Sequence, residues 1–448
     1  MRDVTHNGRV TTPARLTKER ASSTDFLEVG STGLVQNGGI IQDDFLRQLQ
    51  GKSAYANFRE MADNDPVVGA MLHSIEMIVR SVDWSVEPSD PQDPRSVTEA
   101  EFVSTCINDM STSWDDTLAS ILTFLVYGFS YHEIVYKYRR GYTDDAKTRS
   151  KYNDGRIGWR KLPIRSQDTV QRWDFDETGG VKGLYQLDPY APEKGLVYLP
   201  IEKCLLFRTT TKMNNPQGRS ILRNAFVPWY YKRRIQEIEA IGIERDLAGM
   251  PVAYVPPQLL SNNASQQEQA ALAAIKQIVR NIKRDEQEGI VFPLAYDPDT
   301  KMPAYELKLL STGGRRQFDT NEIVTRYDQR ITMTVLADFL LLGHEGVGTQ
   351  ALSVSKIELF LTSLNAYLSN ISETFNSYAI PRLMRLNGVP EDLSPTLTYS
   401  PPKNIDLDGI AKYVTALTQS GAQLFPDTDL ENFLRGLAGL PQGQAEEV

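Results

Sequence analysis

The chain is poor in the residues that metal sites and disulfide scaffolds depend on. Its 448 residues include only two cysteines and four histidines. These are Cys106, Cys204, His6, His73, His132 and His344. The cysteines have no Cys-X-X-Cys or Cys/His neighbour, so we expect reduced core thiols. The histidines share no ligand-like spacing. We therefore expect neither a metal nor a cofactor.

Catalytic motifs are missing as well. No Gly-X-Ser-X-Gly element is present, which leaves Ser-His-Asp hydrolysis without an anchor. The glycines of 343–348 are not preceded by a predicted strand or followed by Lys-Ser or Lys-Thr, as a phosphate-binding loop requires. His344-Glu345 lacks the second histidine of a metalloprotease helix. We expect no catalytic residue and no enzyme activity.

Three pairs of aspartates are the remaining candidates for chemistry. They are Asp144 with Asp145, Asp174 with Asp176, and Asp297 with Asp299. Such carboxylates could hold Mg²⁺, as in a metal-dependent nuclease. We favour turn residues instead, because aspartate is common in turns, where it bonds to its own backbone. The nuclease is kept as the lesser alternative.

Long uncharged apolar runs are also absent, and the mean hydropathy is -0.36, so we expect no membrane-spanning helix. The net charge is -9 and is unevenly distributed. Residues 1–24 carry five basic and two acidic groups, whereas residues 389–448 carry three basic and nine acidic groups. An acidic chain is not built to hold nucleic acid tightly, because that requires Lys and Arg at the phosphates.

The first half of the chain predicts a flexible arm followed by an α+β domain. Residues 1–40 are polar and show no apolar period, which is typical of an arm. Residues 41–218 mix helices, one of them capped at Asp65-Pro66, with short alternating strands that suggest an antiparallel sheet. The fold class is therefore predicted as α+β.

The second half is dominated by long helices. Apolar residues recur at three and four positions over 219–247 and again over 311–343, which predicts two helices around a small α/β insert, residues 248–310. Pro228 should start or kink the first of these. A glycine-rich loop, 344–355, precedes a third long helix. We assign the helix to 356–388, although its apolar pattern already starts near Val354. Residues 389–448 look like a small acidic module.

Charged and aromatic residues of the first long helix each have more than one interpretation. Lys232, Arg233 and Arg234 could contact phosphates, form a solvated face, or pair with an acidic neighbour, and in a ring we favour the neighbour. Trp229, Tyr230 and Tyr231 are adjacent in the same helix. We expect them to pack in the protein rather than to stack on bases.

The order of these segments resembles that of phage portal proteins, with a wing, stem, clip, stem, tunnel loop, long wing helix and crown. Four local strings resemble those of the portal families of long-tailed and Mu-like phages. They are DNDPVVG at 63–69, YGFSYHE at 127–133, GRSILR at 218–223 and ERDLAGMP at 244–251. The resemblance covers about residues 40–390, and the strings occur in the same order.

This resemblance implies a homo-oligomeric ring, commonly a dodecamer, at one capsid vertex of the virion, assembled in the host cytoplasm. It implies a channel for packaging and ejection of double-stranded DNA, with terminase, a head-tail connector, and the major capsid or scaffolding protein as partners. The alternative is a capsid-associated adaptor or scaffold without a channel. We expect the clip, 248–310, to dock terminase and later the connector.

The resemblance also selects candidate site residues. The tunnel loop would line the channel with His344, Glu345, Gly346, Val347, Gly348, Thr349 and Gln350. Arg326, Arg330 and Lys356 flank this loop and are candidates for DNA or intersubunit contacts, together with Lys232, Arg233 and Arg234.

Overall fold

The computed structural model describes residues 30–248, 250–261, 264–281, 296, 303, 305–310, 319–335 and 350–402. The chain divides into two compact units. The first comprises residues 1–57, 84–220 and 370–398, and the second comprises residues 58–83, 221–369 and 399–448. Residues 58–83, which the sequence assigned to the α+β domain, are therefore grouped with the long helices.

In chain order, the α-helices of the described residues are α1 (Gly51–Asn64), α2 (Pro66–Arg80), α3 (Pro94–Asn108), α4 (Trp114–Tyr127), α5 (Phe226–Ala248), α6 (Gln266–Asn281), α7 (Thr320–Met333), α8 (Gln350–Thr374) and α9 (Ile380–Leu386). The boundary between the units falls within α1, after Asn57, and within α8, before Asn370.

All described strand pairs are antiparallel, which confirms the α+β class. The strands are β1 (Gln36–Asn37), β2 (Ile40–Ile41), β3 (Trp84–Glu87), β4 (Phe129–Glu133), β5 (Val135–Tyr138), β6 (Ile157–Lys161), β7 (Ile164–Arg165), β8 (Val170–Phe175), β9 (Val181–Leu187), β10 (Leu196–Pro200), β11 (Cys204–Arg208), β12 (Met250–Tyr254), β13 (Glu306–Leu310) and β14 (Thr396–Tyr399).

The strands of the first unit form several small sheets rather than the single sheet that the sequence suggested. Their orders are β11-β4-β7, β10-β9-β8, β5-β6, β1-β2 and β14-β3. Residues 129–138 form two separate strands, because β4 pairs with β11 whereas β5 pairs with β6. Strand β14 was not predicted. It returns residues of the supposed C-terminal module to β3, near the start of the domain.

Side chains and glycine fix the ends of the helices. The Asp65 carboxylate accepts hydrogen bonds from the backbone N–H groups of Val67 and Val68 at 3.0 and 3.1 Å, and Pro66 occupies the first helical position, as predicted. Helix α4 ends at Gly128, whose φ of 94° is in the left-handed region. A Cβ there would collide with the carbonyl oxygen of Gln217, so this turn requires glycine.

Aromatic side chains fill the core of the first unit. The Trp173 ring meets the rings of Phe129 and Tyr131 edge-on, with centroids 5.3 and 5.9 Å apart. The Tyr131 hydroxyl donates to the carbonyl of Leu199 at 3.0 Å, so its polar end is satisfied although the residue is buried. These contacts join β4 to the β10-β9-β8 sheet.

The second unit is built on the antiparallel pairing of β12 with β13 and on helices α2, α5 and α7, which pack together. Helix α5 begins at Phe226, so Pro228 lies in its first turn, where no intrahelical N–H is needed. Its 23 residues span about 34 Å at about 1.5 Å each. Helix α7 is capped by the Asp319 carboxylate, which accepts from the backbone N–H of Asn321 at 2.9 Å.

The third long helix differs from its prediction at both ends. It begins at Gln350, earlier than the predicted start near Val354, so the last part of the predicted loop, 350–355, is helical. It then passes through a π-helical segment, Phe375–Ala379, directly into α9. Pro381 is at the start of α9 and therefore does not interrupt the helical segment.

Candidate functional site

Helix α5 has a buried face within the second unit, and this face contains a lysine. Trp229 and Lys232 are 5% and 2% exposed and lie one turn apart on that face. The prediction that Trp229 packs in the protein is confirmed. The interpretations of Lys232 as a lumen residue or an intersubunit contact do not fit, because its side chain is enclosed by its own subunit.

Two carboxylates neutralise the buried ammonium. The Lys232 Nζ lies 2.9 Å from the Asp65 carboxylate and 2.5 Å from the Asp328 carboxylate. Asp65 comes from the start of α2 and Asp328 from α7, so this ion cluster joins three helices through one side chain. Leaving an uncompensated charge in such a place is costly. The cluster therefore fixes how α2, α5 and α7 pack.

The next two basic residues of α5 point outward and form surface pairs. Arg233 contacts the Glu60 carboxylate and also that of Glu237, the latter at 3.2 Å. Arg234 lies 3.4 Å from Glu237. Exposed pairs of this kind contribute little to stability. Their acids belong to the same subunit, so the sequence-based preference for an acidic neighbour is not needed to explain them.

A second apolar stripe runs along α5 on the side opposite the buried face. Val227 and Tyr231 are four residues apart, Ile238 and Ile241 are three apart, and the two pairs are separated by seven residues, or about two turns; all four are between 44% and 61% exposed. Tyr230 adjoins Tyr231, with ring centroids 5.6 Å apart, and is also exposed. Tyr230 also lies against Phe226, with ring centroids 6.2 Å apart, so both tyrosines have ring contacts in the protein but remain about half exposed. A helix that is apolar on two faces is prepared for a second packing partner.

Helix α7 presents two basic residues to solvent. Arg326 and Arg330 are exposed, and their guanidinium carbons lie 5.8 and 5.9 Å from the ring centroid of Tyr327. This stacking orients both cations on one side of the helix. Lys356, on α8, is half-buried and has a partner within the protein.

The predicted tunnel loop lies largely outside the described residues. This applies to His344, Glu345, Gly346, Val347, Gly348 and Thr349. Gln350, the last residue assigned to the loop, is the first residue of α8.

The other polar candidates of the sequence have structural roles where they are described. Asp176 accepts backbone N–H bonds from Thr178 at 3.0 Å and from Gly180 at 2.6 Å, which confirms the turn interpretation for this residue. Asp145 likewise accepts from the N–H of Lys147 at 2.9 Å. Asp297 and Asp299 lie outside the described residues.

Burial favours the neutral forms of one histidine and two cysteines in the core of the first unit. Burial lowers the pKa of His132 to about 4, and its Nδ1 lies 2.9 Å from the carbonyl oxygen of Leu162. Burial raises the pKa of the Cys106 and Cys204 thiols to about 11. Both cysteines are buried and free, as predicted.

The part of the chain that the structure describes contains neither a metal-binding cluster nor a membrane-spanning helix. No group of three or more His, Cys, Asp or Glu side chains in this part of the chain is arranged to hold a metal ion. No described helix combines the length and apolarity needed to cross a membrane.

Most of the chain matches a known protein family. Residues 55–433 match the family described as the portal protein of Mu bacteriophage. The chain belongs to this portal family. The match includes both long helices, the insert between them and the region of the tunnel loop, and it confirms the resemblance seen in the four local strings. Portal proteins are structural and non-enzymatic, so the chain is not an enzyme.

Solved structures resemble the chain at low sequence identity. A chain in the neck of the native gene transfer agent (GTA) particle, computed with C12 symmetry, is 12% identical with a TM-score of 0.50, covering 87% of this chain and 93% of that one. An HK97-family phage portal protein from Corynebacterium diphtheriae is 14% identical with a TM-score of 0.41, covering 80% of this chain and 97% of that one. The first likeness shows a fold shared with that chain of the particle neck.

Sequence reasoning missed two parts of the site. It named Lys232 and the cap residue Asp65 but did not pair them with each other or with Asp328, because their separation along the chain gives no sign of their proximity. It also did not predict that the tyrosines of α5 are about half exposed. A signal was available for these, since a helix carrying apolar residues on two opposite faces needs two partners.

Proposed function

We propose that this portal-family chain forms a homo-oligomeric ring at one capsid vertex of the virion. The ring would be the channel for packaging and ejection of double-stranded DNA and the docking site for terminase, the head-tail connector and the capsid or scaffolding protein. Family membership supports this proposal. So does the likeness to a chain from a particle neck computed with C12 symmetry.

The observation that carries the proposal is the apolar stripe of α5. A closed ring requires two different complementary faces on each subunit. The stripe supplies one face, because Val227, Tyr231, Ile238 and Ile241 cover several turns of the helix. Burying the exposed half of one isoleucine contributes about 1 kcal/mol, and a ring repeats this contribution at every interface.

Two other exposed apolar residues of the second unit are candidates for the complementary face. Met333, at the end of α7, is 61% exposed, and Leu359, on α8, is 53% exposed. A methionine adapts its shape to a partner more readily than branched residues do.

The test is the assembly state of the purified protein. Ring-shaped particles with a central hole are expected by electron microscopy for the natural sequence and for the matched control Ile238→Leu/Ile241→Leu. Ile238→Glu/Ile241→Glu should give folded monomers by mass photometry and circular dichroism. Rings of normal symmetry from the glutamate variant would show that the stripe is not the interface. Compact oligomers without a hole would favour the adaptor or scaffold.

DNA contacts in the channel are expected to be sparse. Strong phosphate contacts repeated around a ring would hold the DNA in place, because each one adds to affinity. The exposed Arg326 and Arg330 remain our candidates for weak contacts, together with the loop at 344–349. We further propose that the insert, 248–310, docks terminase and the connector. Insert variants that form rings but bind both partners normally would contradict this last assignment.

A further inference from the structure

The first unit contains a cavity of about 300 Å³ that plays no part in the proposed ring. Val181, Ile201 and Leu206 make part of its wall apolar. The polar part of the wall carries two arginines, Arg208 and Arg382, and none of the described residues that line the cavity is an aspartate or glutamate. Its volume is at the lower end for ligand pockets and accommodates a side chain or two.

The two arginines have neutral partners only. Arg208 Nη1 donates to the Asn214 side-chain oxygen at 3.0 Å and to the Asn215 carbonyl at 3.3 Å. Arg382 Nη1 donates to the Cys204 carbonyl at 2.7 Å. In the described part of the chain, neither guanidinium has a carboxylate within ion-pair distance. Burial lowers the pKa of Arg208, which reflects a charge without compensation.

Nearby acids do not supply the missing charge. Glu133, on the strand beside that of Cys204, pairs with Arg165 and with Lys203, the latter at 2.6 Å. One carboxylate therefore already serves two cations. The cavity keeps an excess of positive charge and several N–H groups that could receive an anion.

Unusual backbone conformations position the polar wall. Met213 and Asn214 have φ values of 52° and 51° and are the non-glycine residues with positive φ in the described part of the chain. Tyr378, about half exposed, lies in the π-helical segment Phe375–Ala379, and the Arg382 guanidinium lies 5.4 Å from its ring centroid. Left-handed non-glycine residues and π-helical segments both concentrate at binding sites.

We propose that this cavity binds an aspartate or glutamate side chain of an acidic peptide segment. A planar guanidinium matches a carboxylate in a two-pronged bond, and two guanidiniums are available. The apolar wall can accept a neighbouring apolar side chain of the peptide. DNA is disfavoured, because a duplex presents its phosphates on a surface too broad to enter a cavity of this size.

The acidic segment has two sources. Residues 403–448 of this chain carry seven acidic and three basic side chains, so the segment could come from the same kind of subunit. It could instead come from another protein of the particle. Both sources present the same carboxylate chemistry.

A labelled peptide tests the chemistry directly. A fluorescein-labelled peptide with the sequence of residues 425–434, FPDTDLENFL, should bind the full-length protein in a fluorescence-polarisation titration. Replacing the Asp and Glu residues of the peptide by their amides, Asn and Gln, should weaken binding about tenfold or more, because a bond between charged groups is lost. Equal binding of the acidic and amide peptides would overturn the proposal.

Matched variants locate the binding. Arg382→Gln should lower the affinity about tenfold or more, whereas Arg385→Gln, an exposed arginine on the same helix, should not. Arg382→Lys should retain part of the affinity, since it keeps the charge. Arg208 is not the primary variant because it supports the Asn214 turn. Equal losses at Arg382 and Arg385 would refute the assignment.

Crosslinking to the protein of natural sequence tests the same site without the risk that a variant misfolds. A benzophenone-bearing form of the same peptide should crosslink to the segment containing Tyr378, as identified by mass spectrometry. Crosslinks confined to other segments would overturn the proposal. So would displacement of the peptide by inorganic phosphate but not by acetate at equal ionic strength, because the cavity would then select phosphate.

A final variant separates the two sources. The seven acids of residues 403–448 are changed to amides in the full-length chain. Tighter peptide binding than in the natural chain would identify this segment as the occupant, whereas unchanged binding would assign the cavity to another protein. The variants used here leave the α5 stripe intact, so failure of this proposal and failure of ring assembly give different results.

Discussion

Replacing Lys232 by methionine is the sharpest test of how the helices of the second unit are held. The substitution keeps a long apolar stem but removes the ammonium from between Asp65 and Asp328. These two carboxylates are 6% and 19% exposed and would remain buried without their cation. Removing one partner of a buried ion pair costs about 3–5 kcal/mol.

The structure places the expected value at the lower end of this range. Asp65 keeps its hydrogen bonds from the backbone N–H groups of Val67 and Val68, and Asp328 keeps some contact with water. We therefore expect Lys232→Met to lower the free energy of unfolding of the second unit by about 3 kcal/mol. The control Arg234→Met, on the same helix, removes a surface pair and should cost less than about 1 kcal/mol.

Urea unfolding of dilute protein measures the difference. Trp229 lies one turn from Lys232, whereas the other four tryptophans, Trp84, Trp114, Trp159 and Trp173, lie in the first unit. Fluorescence changes that are lost in a Trp229→Phe background therefore report on the second unit. Equal midpoints for Lys232→Met and Arg234→Met would refute the reasoning. Adding Asp328→Leu to Lys232→Met should recover part of the loss, because the uncompensated charge is removed as well.

Three further outcomes follow from single residues. His132 has a pKa of about 4 in the folded protein, below its unfolded value. Its contribution of about 3 kcal/mol to the free energy of unfolding is therefore complete above about pH 6.5 and is lost as the pH falls towards 4. His132→Gln should flatten this part of the curve of stability against pH, measured by urea unfolding. Gly128→Ala should lower the melting temperature of the first unit in calorimetry, because its Cβ would meet the Gln217 carbonyl; an unchanged melting temperature would contradict the φ assignment. Arg326→Gln/Arg330→Gln should leave rings intact but reduce the salt dependence of their DNA binding in a filter-binding titration, and an unchanged salt slope would remove both residues from the channel.

Local signals in the sequence were enough for most helices and many strands. The capping carboxylate of Asp65, the proline after it and the glycine at 128 each act within one turn of the chain, and the structure has them in those roles. Apolar periodicity predicted the first long helix over 219–247, and α5 ends within one residue of this range but begins about two turns later, at Phe226. Periodicity succeeds here because one face of each helix must be buried, whatever buries it.

What the sequence alone determined about this protein was its class and its family. The α+β order, the absence of catalytic motifs and four dispersed strings were sufficient for the portal resemblance, because they depend on residue type and on order along the chain. The tertiary structure alone decided which distant residues meet. It placed Lys232 between two carboxylates, joined β3 to β14, and gathered Arg208 and Arg382 at one cavity. Charge partners and strand neighbours are set by packing across long stretches of chain, and no local pattern records them.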